Sequence, residues 1–396
     1  MSRYVPLSLP LLLLPACADG GKQDIPPSEV KIAASHHLFG FRSLRGFGTF
    51  PVQTSVALSD RGTLNLFDDS TYTVTRTTGT SIADRYALAS DGALSIYVTG
   101  SGRDASVVFR GAYGQVTGGH PDFFFTDRVS DTSSPSIGLY FGTRVVSGQV
   151  ELGGAWHVLS LHTVFGGSVP GPDNVGRGAH GAVSIADGAP GTARAISGTG
   201  FQGTSALVLG GSMQNLLTGD VGDGSCNLTL SYQLSGQSAD SRVMRSAATN
   251  DVVFGLDEDE SDGEAGLLLM LRKFDAPASP VDPVRVAGTF LVGGHTLFVN
   301  PTNMGSDAFV GVVTLSSQGG FDLDAVGASG ESFSYVGTYS LAADGGMTIT
   351  VAGTNETWFA AIDRTYDTFA FVDDFVEVRS NNIPELNLAF GVRQKS

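Results

Sequence analysis

The strongest constraint on this chain is that it repeats itself, because recurring units fold alike and multiply one architecture. Tyr86 to Val98 aligns without a gap with Tyr339 to Val351, and each stretch carries an Asp-Gly pair, Asp91-Gly92 and Asp344-Gly345. A second anchor ends in arginine: Leu139 to Arg144, Leu267 to Arg272 and Leu388 to Arg393. A third begins with histidine, at His36-His37-Leu38-Phe39, His162-Thr163-Val164-Phe165 and His295-Thr296-Leu297-Phe298. A fourth brackets an apolar run with aspartates: Asp122 and Asp127, Asp251 and Asp257, Asp367 and Asp373. The anchors recur in one order and divide the chain into units 31–147, 148–275 and 284–396, with a Pro-rich linker at 276–283. The middle unit is the most diverged, and Asp223-Gly224 is its match to the Asp-Gly turn.

Within a unit the local pattern is that of strands. Met347-Thr-Ile-Thr-Val351 and Thr368-Phe-Ala-Phe371 alternate with period two, as half-buried strands do. In the third unit the segments 285–299, 308–316, 320–326, 333–342, 347–351, 358–362, 368–372 and 386–393 read as about eight strands, with Asp344-Gly345 a two-residue hairpin turn. Short strands joined by Gly, Asp and Asn turns, with no helical period between them, give an antiparallel meander. The fold class expected is therefore all-β, three tandem units of about eight meander strands. Closing each unit into a barrel hides its edges. A six-bladed β-propeller uses the same number of strands and is the alternative.

Composition sets limits on function. Among 396 residues there are 39 acidic and 23 basic ones, a net charge of −16 with the basic residues scattered, which argues against a nucleic-acid partner. The chain has two cysteines, Cys17 and Cys226.

The N-terminus carries an address. Arg3 precedes an apolar run from Val5 to Leu14 that ends in Leu14-Pro15-Ala16-Cys17, the layout of an export signal. The run is about half the ~20 residues a spanning helix needs, and Pro6, Pro10 and Pro15 would break one. These residues resemble the lipobox of bacterial lipoproteins, with Pro15 a departure from the pattern. The resemblance implies cleavage before Cys17, a diacylglycerol on its sulfur and an acyl chain on its new amino group, enough for stable anchoring. It implies 1–17 as signal peptide with Cys17 the acylated residue, and 18–30 as a polar, Gly/Pro-rich tether. Ala18 beside the Cys implies the outer membrane. With Cys17 lipidated, Cys226 has no disulfide partner.

Each repeat also resembles the opening of lipocalin-like barrels, a Gly-x-Trp on a long first strand followed later by an Asp-Gly hairpin and a basic residue on the last strand. Gly154-Ala155-Trp156 and Gly288-Thr289-Phe290 carry it, while unit 1 offers a displaced Gly48-Thr49-Phe50. The resemblance implies a barrel interior able to hold a small apolar ligand, or one filled by side chains.

Several residues are candidates for chemistry. His36, His162 and His295 would make a zinc site if the units converged on an axis; on separate strands they are locally bonded side chains. Asp257, Asp259 and Asp262 begin an acidic run like a calcium loop, but Asp262 stands where that loop needs Gly and Leu268 where it needs Glu, so a solvated turn is the simpler reading. Asp220 and Asp223 read the same way. Asp127, Asp257 and Asp373 read as turn residues repeated with the fold. Trp156 and Trp358 read as core aromatics. Gly-x-Ser-x-Gly, His-Glu-x-x-His, Cys-x-x-Cys and a phosphate-binding glycine loop are absent from the sequence. The expectation is a non-enzymatic, membrane-anchored envelope protein without cofactor, acting as a binding or structural module on an unknown protein or small-molecule partner. The alternatives are a carrier of small apolar ligands and, third, a hydrolase with a site built from inter-unit loops.

Overall fold

The alternating segments close into three separate sheets. A computed structural model describes residues 28–44, 57–77, 79, 81–98, 106–114, 122–127, 136–164, 175–203, 205–218, 221–257, 264–299, 304–327, 330–354, 356–373 and 385–394. Barrel 1 comprises β1 (Ala34–Leu44), β2 (Ala57–Leu66), β3 (Thr71–Arg76), β4 (Ser81–Leu88), β5 (Ala93–Val98), β6 (Ser106–Tyr113), β7 (Asp122–Asp127) and β8 (Ser136–Arg144). Barrel 2 comprises β9 (Gly154–Val164), β10 (Val175–Ile185), β11 (Arg194–Gln202), β12 (Ser205–Thr218), β13 (Val221–Leu234), β14 (Asp240–Ala248), β15 (Val252–Asp257) and β16 (Glu264–Arg272). Barrel 3 comprises β17 (Gly288–Val299), β18 (Met304–Leu315), β19 (Gly320–Gly327), β20 (Ser332–Leu341), β21 (Gly346–Val351), β22 (Thr357–Ile362), β23 (Thr368–Asp373) and β24 (Glu385–Arg393). Each strand pairs antiparallel with the next and the last pairs with the first. The units are therefore barrels, and the propeller is excluded. Arg285, expected to open the first strand of unit 3, lies instead in a single helical turn α1 (Pro283–Val286), capped by Asp282, whose side chain accepts from Val284 N.

An eight-stranded barrel is just wide enough for its inward side chains to fill it, and these do. Tyr72, Tyr86 and Phe123 fill barrel 1, Trp156, Met213 and Met244 barrel 2, and Phe290, Phe321, Trp358 and Phe371 barrel 3. One end of each barrel is covered by the segment that precedes its first strand. Val30 and Ile32 lie against the core of barrel 1, Val146, Val150 and Leu152 belong to that of barrel 2, and Phe274, Val281 and Val286 to that of barrel 3. The Pro-rich segment between barrels 2 and 3 thus serves as a lid on the third core as well as a connector.

The closing arginines are in register. Arg144, Arg272 and Arg393 lie opposite His36, Trp156 and Phe290. The Arg272 guanidinium sits 5.1 Å from the Trp156 ring centre and donates to Glu151 O at 2.6 Å and to Gly153 O; that of Arg393 sits 4.6 Å over Phe290 and donates to Tyr366 O at 2.7 Å. This register corrects the histidine anchor. His36 occupies the place of Trp156 and Phe290, whereas His162 and His295 lie further along their strands. The first-unit counterpart of Gly-x-Trp is Ala34-Ser35-His36; Gly48-Thr49-Phe50 lies outside the described residues.

Outward faces of the first strand and the last two strands of each barrel bury most of a fourth core between the barrels. Phe41 and Phe141 of barrel 1, Leu161 and Phe254 of barrel 2, and Leu388 and Phe390 of barrel 3 belong to it. Phe254 lies 4.8 Å from Phe141 and 5.1 Å from Phe390 by ring centres, so one side chain of barrel 2 touches both neighbours. The polar contacts run head to tail around this core. His37 Nε2 of barrel 1 donates to Asp223 O of barrel 2 at 2.7 Å, and His157 Nε2 of barrel 2 donates to Asp344 O of barrel 3 at 3.0 Å. The ring closes where Gln394 of barrel 3 donates to Asp91 Oδ2 of barrel 1 at 3.2 Å. All three acceptor sites are the Asp-Gly pairs of the sequence. Each aspartate accepts from the backbone two residues on, at Ala93, Ser225 and Gly346. Gly92, Gly224 and Gly345 have φ of 97°, 88° and 93°, a left-handed backbone open to glycine at little cost. Heterologous contacts of this kind close when the rotation permits, and here three barrels complete the ring.

Candidate functional site

Among the described residues, the richest cluster of polar side chains inside a barrel lies in barrel 2. The inward side of β9 reads Trp156, Val158, Ser160, His162, apolar near Arg272 and polar toward the other end. There Arg242, 4% exposed, bridges two carboxylates, reaching Asp257 Oδ2 at 3.4 Å and Asp240 Oδ2 at 2.9 Å. Arg177 reaches the same Asp240 oxygen at 3.4 Å. His162 Nε2 lies 3.2 Å from the Tyr232 hydroxyl, which donates to Ser160 Oγ at 3.4 Å. His162 Nδ1 lies against Gly266, where a Cβ would collide with it, and has no hydrogen-bond partner.

The charges here cancel: two guanidiniums face two carboxylates. Burial, with Arg242 and Arg177 nearby, pushes the His162 pKa down to about 3, so the imidazole is neutral across ordinary pH and a poor general base. The remaining cavity has a volume of about 50 Å³, rimmed by Gln202, Gln237 and Ser238. That holds water, and ligand pockets run to about 300–1,000 Å³. Chemically the cluster is a polar plug whose charges are paired and whose one unpartnered atom is His162 Nδ1.

The other histidines are elsewhere. His36 lies inside barrel 1, with Nε2 3.0 Å from the Tyr113 hydroxyl and Nδ1 donating to Leu64 O at 3.3 Å. His295 faces out into the seam, its ring edge-on to Phe41 at 4.9 Å. The three do not converge, and no group of three His, Cys, Asp or Glu side chains able to hold a metal occurs among the described residues.

Asp257 is 2% exposed and engaged by Arg242, so it is a buried structural anion where a solvated turn was expected. Asp259 and Asp262 lie outside the described residues, as do Cys17 and Asp220. Asp373 stands at the same strand position as Asp257, also buried, and accepts from Asn387 N at 3.2 Å. Asp127 aligns with them, its backbone opposite Phe109. Asp257 and Asp373 close strand ends by accepting bonds from within their own barrels. Trp156 is buried, with Nε1 donating to Leu152 O at 3.0 Å, and Trp358 stacks on Phe371 at 5.1 Å; both are core residues. Sequence reasoning missed Arg177, Tyr232, Asp240 and Arg242. The signal was present for one of them: Arg242 shares the inward parity of β14 with Met244.

No protein-family model matches the chain, and no curated protein sequence matches it. Among solved structures it is similar to intact Ap-TbpB (N and C lobes), at 9% identity over 93% of this chain and 79% of that one, with a TM-score of 0.28. It is also similar to transferrin binding protein B from Haemophilus parasuis, at 9% identity, 94% and 78% coverage and TM-score 0.32. The isotype 1 transferrin binding protein B of serogroup B Neisseria meningitidis gives 10% identity, 93% and 77% coverage and TM-score 0.26.

Proposed function

We propose that this chain is a lipid-anchored protein of the bacterial cell envelope whose three-barrel ring is a non-enzymatic binding module. The anchor is the lipidated Cys17, the tether is 18–27, since Ser28 to Val30 are bonded to barrel 1 at Tyr86 and Leu88, and the outer membrane is the address that Ala18 implies. The observation that carries the binding reading is where the chain leaves surface free. The barrel interiors are filled, whereas the outward face of β11 to β14 displays Ser197, Thr199, Phe201, Val208, Ser241 and Val243, all exposed. Phe201 is 48% exposed, Val208 57% and Val243 65%. Between Ala195 and Leu234 the only charged residues are Asp220 and Asp223, in a chain of net charge −16. A closed barrel has no strand edge to offer, so recognition falls to such outer faces.

Intact mass and membrane fractionation test the anchor. The wild type should gain the mass of a diacylglycerol and an acyl chain and sediment with membranes, and Cys17→Ser should lose both. An unlipidated, soluble wild type would overturn it. Titration with a fluorescent fatty acid tests the module reading. Saturable uptake at one or more sites per chain would favour the carrier instead.

A further inference from the structure

The bracketing aspartates are equivalent in sequence but not in space. Counted from the closing arginines, Asp122 pairs with Thr143, Val252 with Leu271 and Thr368 with Val392. Asp122 therefore occupies the place of Val252 and Thr368, while Asp251 and Asp367 fall one residue earlier, in turns. That slip points the Asp122 side chain outward from β7, into the seam between barrels 1 and 3, where it is 3% exposed. Its Oδ2 accepts from Thr368 Oγ1 of barrel 3 at 3.1 Å. Its Oδ1 forms no hydrogen bond of good geometry; the hydroxyl of its cross-strand neighbour Thr143 favours the charged form of the carboxyl, but burial outweighs it.

Every element around it is short of positive charge. From barrel 1 come Thr143 and the Tyr113 phenol, which is engaged with His36. From barrel 3 come Thr368 and, behind it, the buried Asp363, which accepts from Thr368 N and Asp367 N, both at 3.1 Å. From barrel 2 comes Asp251. Of the cations, Arg364 is bonded to Asp251 at 2.8 Å, Arg272 to the carbonyls of Glu151 and Asn250, and Arg393 to those of Tyr366 and Ala287, while Arg144, next to Thr143, is exposed and lies opposite His36 on the other face of its strand. We propose that Asp122 is a proton-dependent clasp: uncharged, it holds barrels 1 and 3 together, and ionised, it loosens that seam.

Burial first, then Asp363 and Asp251, push the Asp122 pKa up to about 8, against the pull of Thr143 and Thr368; burial likewise takes Asp363 to about 7. With the docked pKa above the exposed value of 3.8, the closed seam holds more protons than the open one. Closure is therefore fully favoured below pH 3.8 and weakens as pH rises toward 8.

The test is hydrogen exchange of the full chain at pH 6 and pH 9, corrected for intrinsic rates, read on β7 and β23 with β11 as internal control. Protection of β7 and β23 in the wild type should fall about a hundredfold relative to β11, the factor that the two pH units below a docked pKa of about 8 supply. Asp122→Asn should keep its protection. Equal protection of the wild type at both pH values, or the same loss in Asp122→Asn, would overturn the proposal. Should Asp122→Asn fail to accumulate, Asp363→Asn decides: removing that like charge lowers the docked pKa of Asp122, so the loss of protection between pH 6 and pH 9 should shrink, and an unchanged loss would overturn the clasp.

Discussion

Phe254→Ala is the substitution that most directly asks whether the three barrels form one cooperative body. The ring is fully buried, with Phe141 of barrel 1 at 4.8 Å and Phe390 of barrel 3 at 5.1 Å. Truncating a buried Phe costs about 3–5 kcal/mol when its surroundings cannot collapse, and each lost aromatic pair adds about 0.5–1.5 kcal/mol. The walls here are three closed barrels, which collapse poorly, and two pairs are lost, so a loss of about 4–8 kcal/mol is expected. The assay is urea unfolding with calorimetry, beside Phe321→Ala. Phe321 is equally buried but lies inside barrel 3, against Trp358. Both variants should lose stability, but only Phe254→Ala should split the transition by releasing barrels from one another. A loss below about 1 kcal/mol, or a single transition shifted just as in Phe321→Ala, would refute a shared core that couples the barrels.

Three further outcomes are expected. Arg272→Met removes a guanidinium that holds three carbonyls and covers Trp156, and should cost about 2–4 kcal/mol in urea unfolding. Stability should peak near pH 6.5 in a melting-temperature profile. Burial lowers His36 and His157 to about 4 and His162 and His295 to about 3, so stability is lost as pH falls below 6.5, while raised Asp122 and Asp363 remove it as pH rises toward 8; a profile that keeps rising to pH 8 would count against this balance. Gly345→Ala should lower stability by more than 1 kcal/mol, since it combines a φ of 93° with a Cβ placed 2.8 Å from Phe274, and a neutral result in thermal unfolding would deny the turn its role.

Repetition and alternation made the barrels legible because both are properties of neighbours in sequence. Asp-Gly pairs separated by hundreds of residues turned out to share one hydrogen bond and one backbone conformation, and the closing arginines share one register. The histidines misled because a residue type can recur without its parity recurring. His36 and His162 point inward and His295 outward, and three places on three strands are involved. Asp122 and Asp251 misled in the same way: a slip of one residue turns a side chain to the opposite face. The polar plug of barrel 2 was largely hidden because Arg177, Tyr232 and Asp240 meet only when β10, β13 and β14 close around β9, and sequence distance says nothing of that closure.

The ring has a weak point that follows from connectivity alone. Peptide segments join barrel 1 to barrel 2 and barrel 2 to barrel 3, so those seams benefit from a high effective concentration of their partners. The seam between barrels 3 and 1 has no such link. It also lacks the imidazole contact: at the position of His37 and His157, barrel 3 has Leu291, and Gln394 supplies the polar bond instead. What holds it is side-chain fit, with Phe124 laid against Gly293 where any Cβ would strike the ring, Phe390 edge-on to Phe124 at 6.3 Å, and Asp122 on Thr368. A carboxyl with no partnering cation is therefore set in the seam that lacks a covalent link. Gly293→Ala should open the same seam at any pH, without touching a titratable group. Exchange protection of β7 and β23 lost in Gly293→Ala at pH 6, while β11 stays protected, would show that this seam opens separately from the barrels. If β11 unfolds with it, the ring has no seam that opens alone, and the pH response belongs to the whole fold.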